Sequence, residues 1–464
     1  MASRSTQNLP PGPKGLPFLG SWLEDQADSI GMFHRYFKQY GDIVRFRLGE
    51  MPFHLVSHPQ YVKHFLADNA ANYQRPAGMP RGEKEGLFGL TGEKWKQHRR
   101  LLQPAFQRPR VEALVPKLVE CTQRTLDQWW EPHARSGEPF RLAQVISRVM
   151  ISQMSQAVYS EDASDEAFSA TRNFLDFANN RRPVLVTAFF MALPFLDPRR
   201  PKRAEYLRVL WDLSAQHVAR RRQGGEGPYD DLLASTMAAR DDKGEGLTDT
   251  ELAAEAFTLY FNGHEAPTSA LEWTWLELSR HPEIEEQVRA VVERVLGDRP
   301  PALEDLPKLG YLTQVFQESM RLNPPAPVLT RVALAADRMG DYDVPAGTNV
   351  LAAPSVLHRH PAFWEEPDRF LPERFSPEQE KKIPRFLYVP FGAGQRLCIG
   401  NHMGLMQATL ALAMMVQRYR VTPVPGARVV GAMGPSYHVK GGLKVRLAPA
   451  RQVAPKARQQ LAAG

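Results

Sequence analysis

Of the two cysteines in this chain of 464 residues, Cys398 sits where a sulfur does chemistry. It lies in Phe391-Gly392-Ala393-Gly394-Gln395-Arg396-Leu397-Cys398-Ile399-Gly400, just ahead of a helical pattern that begins near Gly400. A thiol at a helix start feels the positive end of the helix dipole, which favours the thiolate and lowers its pKa. Glycines allow tight turns and close approach of the backbone to a bound group. A thiolate ligand also needs backbone N–H donors to tune its charge. The expected chemistry is metal ligation by sulfur. Cys121 falls in an ordinary helical pattern, Val111 to Trp130, and reads as core. Two cysteines exclude a disulfide framework and a cysteine-rich zinc site.

The loop fits Phe-x-x-Gly-x-Arg-x-Cys-x-Gly at all five fixed positions, a match expected by chance in on the order of one chain in ten thousand. It resembles the haem-binding signature of the cytochromes P450, and the resemblance runs from the Pro10–Pro17 lead-in to the strands near Lys440. It implies haem b (iron protoporphyrin IX) with Cys398 as axial ligand. Arg396 would neutralise a propionate, Phe391 would pack beside the sulfur and exclude water, and Gly400 would let the backbone approach the porphyrin. A thiolate ligand pushes electron density onto iron and favours O–O cleavage. Trp95 and Arg99, four apart on one face of a predicted helix, resemble the family's Trp-x-x-x-Arg propionate anchor. Arg331, in Pro327-Val328-Leu329-Thr330-Arg331, resembles the strand arginine that reaches a propionate.

Glu318-Ser319-Met320-Arg321 matches the family's Glu-x-x-Arg motif, a spacing that puts both side chains on one helix face. The same spacing recurs at Glu138, Glu205, Glu277, Glu286 and Glu366; only Glu318 precedes the Pro324-Pro325 turn, where the family arrangement requires it. The resemblance implies a buried structural network of Glu318, Arg321 and Arg374 behind the cysteine loop.

One segment departs from the family. Where the family usually carries a small residue, glycine, any residue, an acid and threonine, this chain reads Asn262-Gly263-His264-Glu265-Ala266-Pro267-Thr268. The glycine and acid are kept, but Ala266 stands at the alcohol position. Pro267 has no N–H and clashes with the Gly263 carbonyl, so a kink is expected. Three readings follow. Glu265 acts as relay acid with a substrate hydroxyl or water in place of the alcohol. Alternatively Thr268 reaches the site, although it points about 200° away from Ala266 on the helix. Or the enzyme is a peroxide-driven peroxygenase or isomerase. The retained acid favours a monooxygenase using dioxygen; a non-catalytic haem-thiolate sensor is a further alternative.

The elements that must position these residues are mainly helical, with a smaller β portion. A capping box at Thr248 and Glu251 opens a helix that runs to His281-Pro282. Spanning about 45 Å, it is expected to pass through the middle of the fold, with the haem between it and the cysteine loop. Two helices follow over 283–322 and another over about 400–419, with strands and turns from 421 to 449. Helix dominates from Gly92 to Arg222, broken near Pro104, Pro132 and Pro194. A helical stretch covers Phe33 to Tyr40, a strand Ile43 to Leu48, and a long loop 70–92. Pro198–Arg203 reads as a basic hinge and 223–246 as a surface connection. Residues 1–20 read as an irregular lead-in, 21–449 as one catalytic domain, and 450–464 as a disordered basic tail.

By resemblance the pocket draws on Leu87 and Phe88, on Phe174 to Phe190, on Phe257, Phe261 and Ala266, and on Ala326 to Leu329, including Val328 and Leu329. Met433 to Tyr437 closes it. This apolar lining points to a lipophilic substrate such as a fatty acid, terpenoid or steroid. Hydrophobic residues make up 43% and charged residues 23%, a globular composition, and the net charge is +7. Absence of zinc-finger and RNA-binding signatures speaks against nucleic acid. No flavin or nicotinamide fingerprint is present, so electrons must come from a separate acidic partner, a ferredoxin or flavodoxin with its reductase. Lys96, Arg100, Arg108, Arg110 and Arg385 are the expected contacts. No apolar run suits an integral membrane anchor, and a cytoplasmic location is expected.

Overall fold

A computed structural model describes residues 8–76, 86–179, 197–224, 229–426 and 429–450. The longer helices are α1 (Trp22–Tyr40), α2 (Gly92–Leu102), α3 (Val115–Thr125), α4 (Leu142–Tyr159), α5 (Asp165–Asn179), α6 (Arg200–Arg222), α7 (Asp249–Arg280), α8 (Pro282–Leu296), α9 (Gly310–Leu322) and α10 (Asn401–Arg418). The strands are β1 (Ile43–Leu48), β2 (Met51–Val56), β3 (Tyr73–Gln74), β4 (Phe140–Arg141), β5 (Leu329–Ala333), β6 (Asp337–Met339), β7 (Tyr342–Val344), β8 (Asn349–Ala352), β9 (Tyr419–Pro423), β10 (Gly431–Met433), β11 (Tyr437–Val439) and β12 (Lys444–Pro449).

Helix α7 is the axis of the molecule. Thr248 caps it as expected: its Oγ1 accepts the Glu251 N–H at 3.3 Å, and the Glu251 carboxylate accepts the Thr248 N–H at 3.0 Å. Leu252, Leu271 and Leu278 are fully buried, and α4, α6 and α9 pack against the helix. Truncating any one of these leucines to alanine is worth about 2–5 kcal/mol. The helix continues unbroken through Pro267. The helical hydrogen-bonded run is held on both sides of the proline by packing along the length of α7. What remains of the proline effect is local: the Gly263 carbonyl has no N–H four residues on.

The largest sheet has the strand order β1-β2-β8-β5-β3. Strands β1 and β2 form a hairpin whose turn holds Gly49 at φ +61°, a conformation that favours glycine. Strand β8 runs parallel to β2 and antiparallel to β5, with Arg331 opposite Val350. Beneath this sheet lies a separate core that includes Val56, Phe65 and Val350, while the main core belongs to the helices.

Several expectations change. Helix α1 begins at Trp22 rather than Phe33 and is kinked at Asp28 (φ −161°, ψ 87°), where Asp28 and Gly31 interrupt its apolar period. Residues 223–246 contain a short helix, Leu232–Ala238, capped by the Asp231 carboxylate; seven residues are too few to show a period. The basic segment near Pro198 largely forms the first turn of α6, with Pro201 at its start, where proline is tolerated. Instead of one helix from Val111 to Trp130, a short helix ends at Glu112, α3 follows, and a wider turn covers Leu126–Trp130. Cys121 is core as expected: it is 1% exposed, and burial pushes its thiol up to about 12. Part of the 70–92 loop, Pro194, most of Phe174 to Phe190 and the tail from 451 lie outside the described residues. No helix among the described residues is long and apolar enough to cross a membrane.

Candidate active site

The cysteine loop is a folded-back ribbon. The Cys398 N–H donates to the Phe391 carbonyl at 3.0 Å, closing the loop across its ends. Gly392 and Gly394 hold φ of +73° and +68°. At Gly394 the need for glycine is twofold, since a Cβ there would lie 1.9 Å from the Leu66 carbonyl. Gly400 is different: its φ is −96°, and a Cβ would meet only the Phe106 ring, at an ordinary 3.7 Å. No neighbour among the described residues demands glycine at 400, which suits the close approach of a bound group. Phe391 packs on the main core and lies close to Gly404.

Cys398 is accessible, yet enough protein surrounds it for burial to raise its thiol pKa; the Gly400 N–H and Arg99 pull the other way. Such a sulfur lines a recess. Three guanidiniums gather near it. Arg99 donates to the Leu397 carbonyl at 2.9 Å, Arg396 to the Leu90 carbonyl at 2.8 Å, and Arg331 to its neighbour Thr330 at 2.8 Å. None of the three has a carboxylate partner among the described residues. Arg396 lies 4.0 Å over the Trp95 ring. Burial, then Arg75, Arg331 and Arg99, lower Arg396 to about 9; burial and Arg75 lower Arg331 to about 10. Half-buried like charges without counter-ions are costly alone and ready for an anion. A thiol in a recess, a glycine that no protein neighbour explains and three unanswered cations fit a haem with two propionates. Cys398 would ligate the iron, and Arg99, Arg331 and Arg396 would hold the carboxylates.

Behind the loop the expected network is assembled. Arg321 and Glu318 are both fully buried and pair through two bonds of 2.7 and 2.9 Å. Arg321 also donates to the carbonyls of His358, Pro367 and Arg369 at 2.7–2.9 Å. Arg374 reaches Glu318 at 3.5 Å, a looser contact, and is itself tied to the Glu366 carbonyl. His358 extends the network in a way the sequence did not reveal. Its Nε2 accepts the Val389 N–H at 2.9 Å, two residues before Phe391, and its Nδ1 donates to the Arg321 carbonyl at 3.3 Å. Burial, then Arg321, lowers His358 to about 3, so the neutral ring these bonds require is the stable one.

On α7, Glu265 is largely enclosed. Its Oε1 accepts the Ser436 hydroxyl at 2.9 Å. Burial, and to a lesser degree Asp176, raise its pKa, while Ser436 lowers it. Ala266 is partly exposed beside it. Thr268 is turned into its own helix: it is 5% exposed and its hydroxyl donates to the His264 carbonyl at 2.7 Å. Gly263 packs against Met154 of α4. Phe257 and Phe261 stack at 5.8 Å, and Phe174 meets Phe261 edge-on at 5.1 Å. Leu87 is buried with its N–H on Glu255, whereas Phe88 is 51% exposed beneath the Arg75 guanidinium. Val328 packs on the core under α1, and Leu329 approaches Gly392 of the cysteine loop. Glu255 also bonds His98 at 2.6 Å, tying α2 and the preceding loop to α7. Neither Glu255 nor Ser436 carries a local pattern that would have singled it out.

The chain matches the family model described as Cytochrome P450 over residues 10–439. It is 34% identical over 427 residues to cyclooctatin synthase of Streptomyces melanosporofaciens, covering 90% of this chain and 91% of that one. To cyclooctat-9-en-7-ol 5-monooxygenase of the same organism it is 30% identical, over 83% of this chain and 84% of the relative. Pentalenene oxygenase of Streptomyces avermitilis is 29% identical, over 88% and 90%. With the cysteine loop, the unanswered arginines and the buried Glu318–Arg321 pair in place, the chain belongs to the cytochrome P450 family, the haem-dependent monooxygenases.

Proposed function

We propose that the protein oxidises, in the simplest case hydroxylates, a lipophilic small molecule of terpenoid type. It would use haem b, dioxygen and two electrons from a separate acidic ferredoxin or flavodoxin with its reductase. The observation that carries this reading is the aromatic wall formed by Phe257 and Phe261, on the same helix as Glu265, with Phe174 of α5. Relatives named for cyclooctatin and pentalenene chemistry support the substrate class. Bound haem supplies the redox-active iron at which oxygen is activated. The chain's own residues do the rest. Cys398 ligates, the three arginines orient, the aromatic wall excludes water, and Glu265 moves a proton from its second oxygen. Small apolar pockets discriminate hydrocarbons by only about 1–3 kcal/mol per methylene. A panel of terpenoids, fatty acids and steroids should therefore be titrated into ferric protein and the Soret difference spectrum recorded. A saturable high-spin shift confined to terpenoids is expected; a shift only with fatty acids or steroids overturns the substrate class.

Ala266→Thr restores the alcohol beside Glu265. The fraction of consumed oxygen recovered as product should change, by about two- to tenfold for substrates lacking a hydroxyl near the reacting carbon. Unchanged coupling with every substrate would show that this position does not matter. A peroxide-driven reading is favoured by Ala266 alone and opposed by the retained acid.

Partner docking is proposed on the groove of about 600 Å³ lined by Trp95, Arg99, Arg100 and Gln395. Lys96, Arg100 and Arg108 each hold a surface carboxylate at 2.6 Å and Arg110 one at 3.8 Å. Arg385 is exposed, with no ion pair among the described residues. Exposed pairs contribute only about 0–1 kcal/mol and exchange readily for a partner's carboxylates. Electron transfer from an acidic ferredoxin should slow as salt rises, since the screening length shrinks from about 30 to about 8 Å between 0.01 and 0.15 M. Rates independent of salt would refute this docking face.

A further inference from the structure

Helix α7 grips one hairpin at three successive turns. Ser436, in the Gly434-Pro435-Ser436 turn between β10 and β11, donates to Glu265 Oε1 at 2.9 Å. The Tyr437 carbonyl accepts from Ser269 and, at 2.9 Å, from the Trp273 indole. The Trp273 and Tyr437 rings stack at 5.2 Å with 10° between their planes. Positions 265, 269 and 273 are four apart and form one stripe of the helix. On its far side the hairpin is fixed by the Tyr437 N–H on the Pro325 carbonyl, at 2.9 Å. The turn also presses on the end of α5, where a Cβ at Gly434 would lie 2.0 Å from Asn179. The hairpin is therefore held whether or not Ser436 has a hydroxyl. Ser436 is 2% exposed. That hydroxyl is held against Glu265, and the hairpin has these other ties besides it.

We propose that Ser436 is the positioning residue of the proton relay: it fixes Glu265 Oε1 so that Oε2 faces the recess, and so makes up for the alcohol absent at position 266. This rests on the reading of Glu265 as relay acid. Glu265 Oε2 has no partner among the described residues and is not among their fully buried polar atoms, so it is free to exchange a proton. When Oε2 gives up its proton, the Ser436 bond is retained and strengthens, because its acceptor is now charged. The charged groups around Glu265 do not replace Ser436. Asp176 on α5 and Glu272 on α7 both oppose a second negative charge, and burial keeps His438 on the hairpin neutral.

The test uses the haem-loaded ferric protein. The Glu265 carboxyl band is identified in infrared difference spectra by its loss in Glu265→Gln, then followed against pH in Ser436→Ala and Ser436→Thr. Ser436→Ala is expected to raise the pH of ionisation by about one unit, the effect of one hydrogen bond to a carboxylate. It should also lower coupling about twofold to tenfold. Ser436→Thr keeps the hydroxyl and should restore both. Ser436→Cys, with a weaker donor, should fall between and serves if the alanine variant misfolds. If Glu265→Gln uncouples turnover but the band and coupling are unmoved in Ser436→Ala, the positioning role alone is wrong. If Glu265→Gln turns over fully coupled, the relay reading fails and takes this proposal with it.

Discussion

Arg321→Met should yield a chain that holds little or no haem and melts far below the parent. Arg321 answers a fully buried carboxylate and three backbone carbonyls at once. Removing one partner of such a pair strands the other charge, at about 3–5 kcal/mol. Domains have only about 5–15 kcal/mol to lose. The damage should pass to the cysteine loop by a definite route, since the Arg321 carbonyl holds His358 and His358 holds the Val389 N–H. Arg321→Lys should rescue poorly, because an ammonium cannot reproduce the forked pair. The pH dependence has a predictable sign. Burial already raises Glu318 above the usual carboxylate value, and Arg321, the Leu371 N–H and Arg374 only partly offset it. Without Arg321 the folded-state pKa rises further. A carboxyl raised on folding favours the folded state while protonated and loses that advantage as pH climbs through the raised value. The variant should thus be most stable on the acid side, and adding Glu318→Gln should remove this dependence and recover part of the melting temperature. Haem-to-protein ratio and melting temperature against pH are the readouts. Full haem content in Arg321→Met would show that the network does not support the loop. Arg374→Ala should be milder, since its contact with Glu318 is longer and partly open.

How much of this was legible beforehand depends on range along the chain. The Thr248–Glu251 clasp and the Cys398 loop are each built from residues close in the chain, so spacing reveals them, whereas the Glu318–Arg321 spacing recurs elsewhere and needed the family position before Pro324-Pro325 to be singled out. Arg374, Arg99 and Arg331 came by family resemblance; Arg374 lies 3.5 Å from Glu318, and Arg99 and Arg331 have no carboxylate partner among the described residues. Ser436 and Glu265 are 171 residues apart, and His98 and Glu255 are 157 apart. Pairs like these leave no local pattern, because only the folded chain makes them neighbours. Pro267 shows how far a local rule reaches: it removes one N–H from the helix, while packing on several faces of α7 carries the helix on beyond it. Thr268 was a reasonable substitute by composition, but a threonine hydroxyl within a helix has a carbonyl waiting four residues back, and here it takes it.

Cys398→Ala should abolish both turnover and the pH dependence of haem capture. In the unliganded chain burial raises this thiol, with the Gly400 N–H and Arg99 only partly offsetting it. Near neutral pH it is therefore protonated until it meets a metal. A thiolate ligand must first release that proton, so below the thiol pKa affinity should strengthen by about tenfold for each unit of rising pH. One proton should be set free for each haem bound. The alanine variant keeps Arg99, Arg331 and Arg396, and with them a weaker affinity that no longer follows the thiol. Cys398→His separates ligation from electronics. A neutral imidazole can hold the iron, as in globins, but lacks the thiolate's push of electron density. It should bind haem stoichiometrically and still fail to oxidise any substrate above background. Calorimetry in two buffers of different ionisation enthalpy counts the released proton directly. Equal affinities across pH in the parent chain, or oxidation retained by Cys398→His, would mean that the sulfur is not the ligand that makes this recess an oxygenase site.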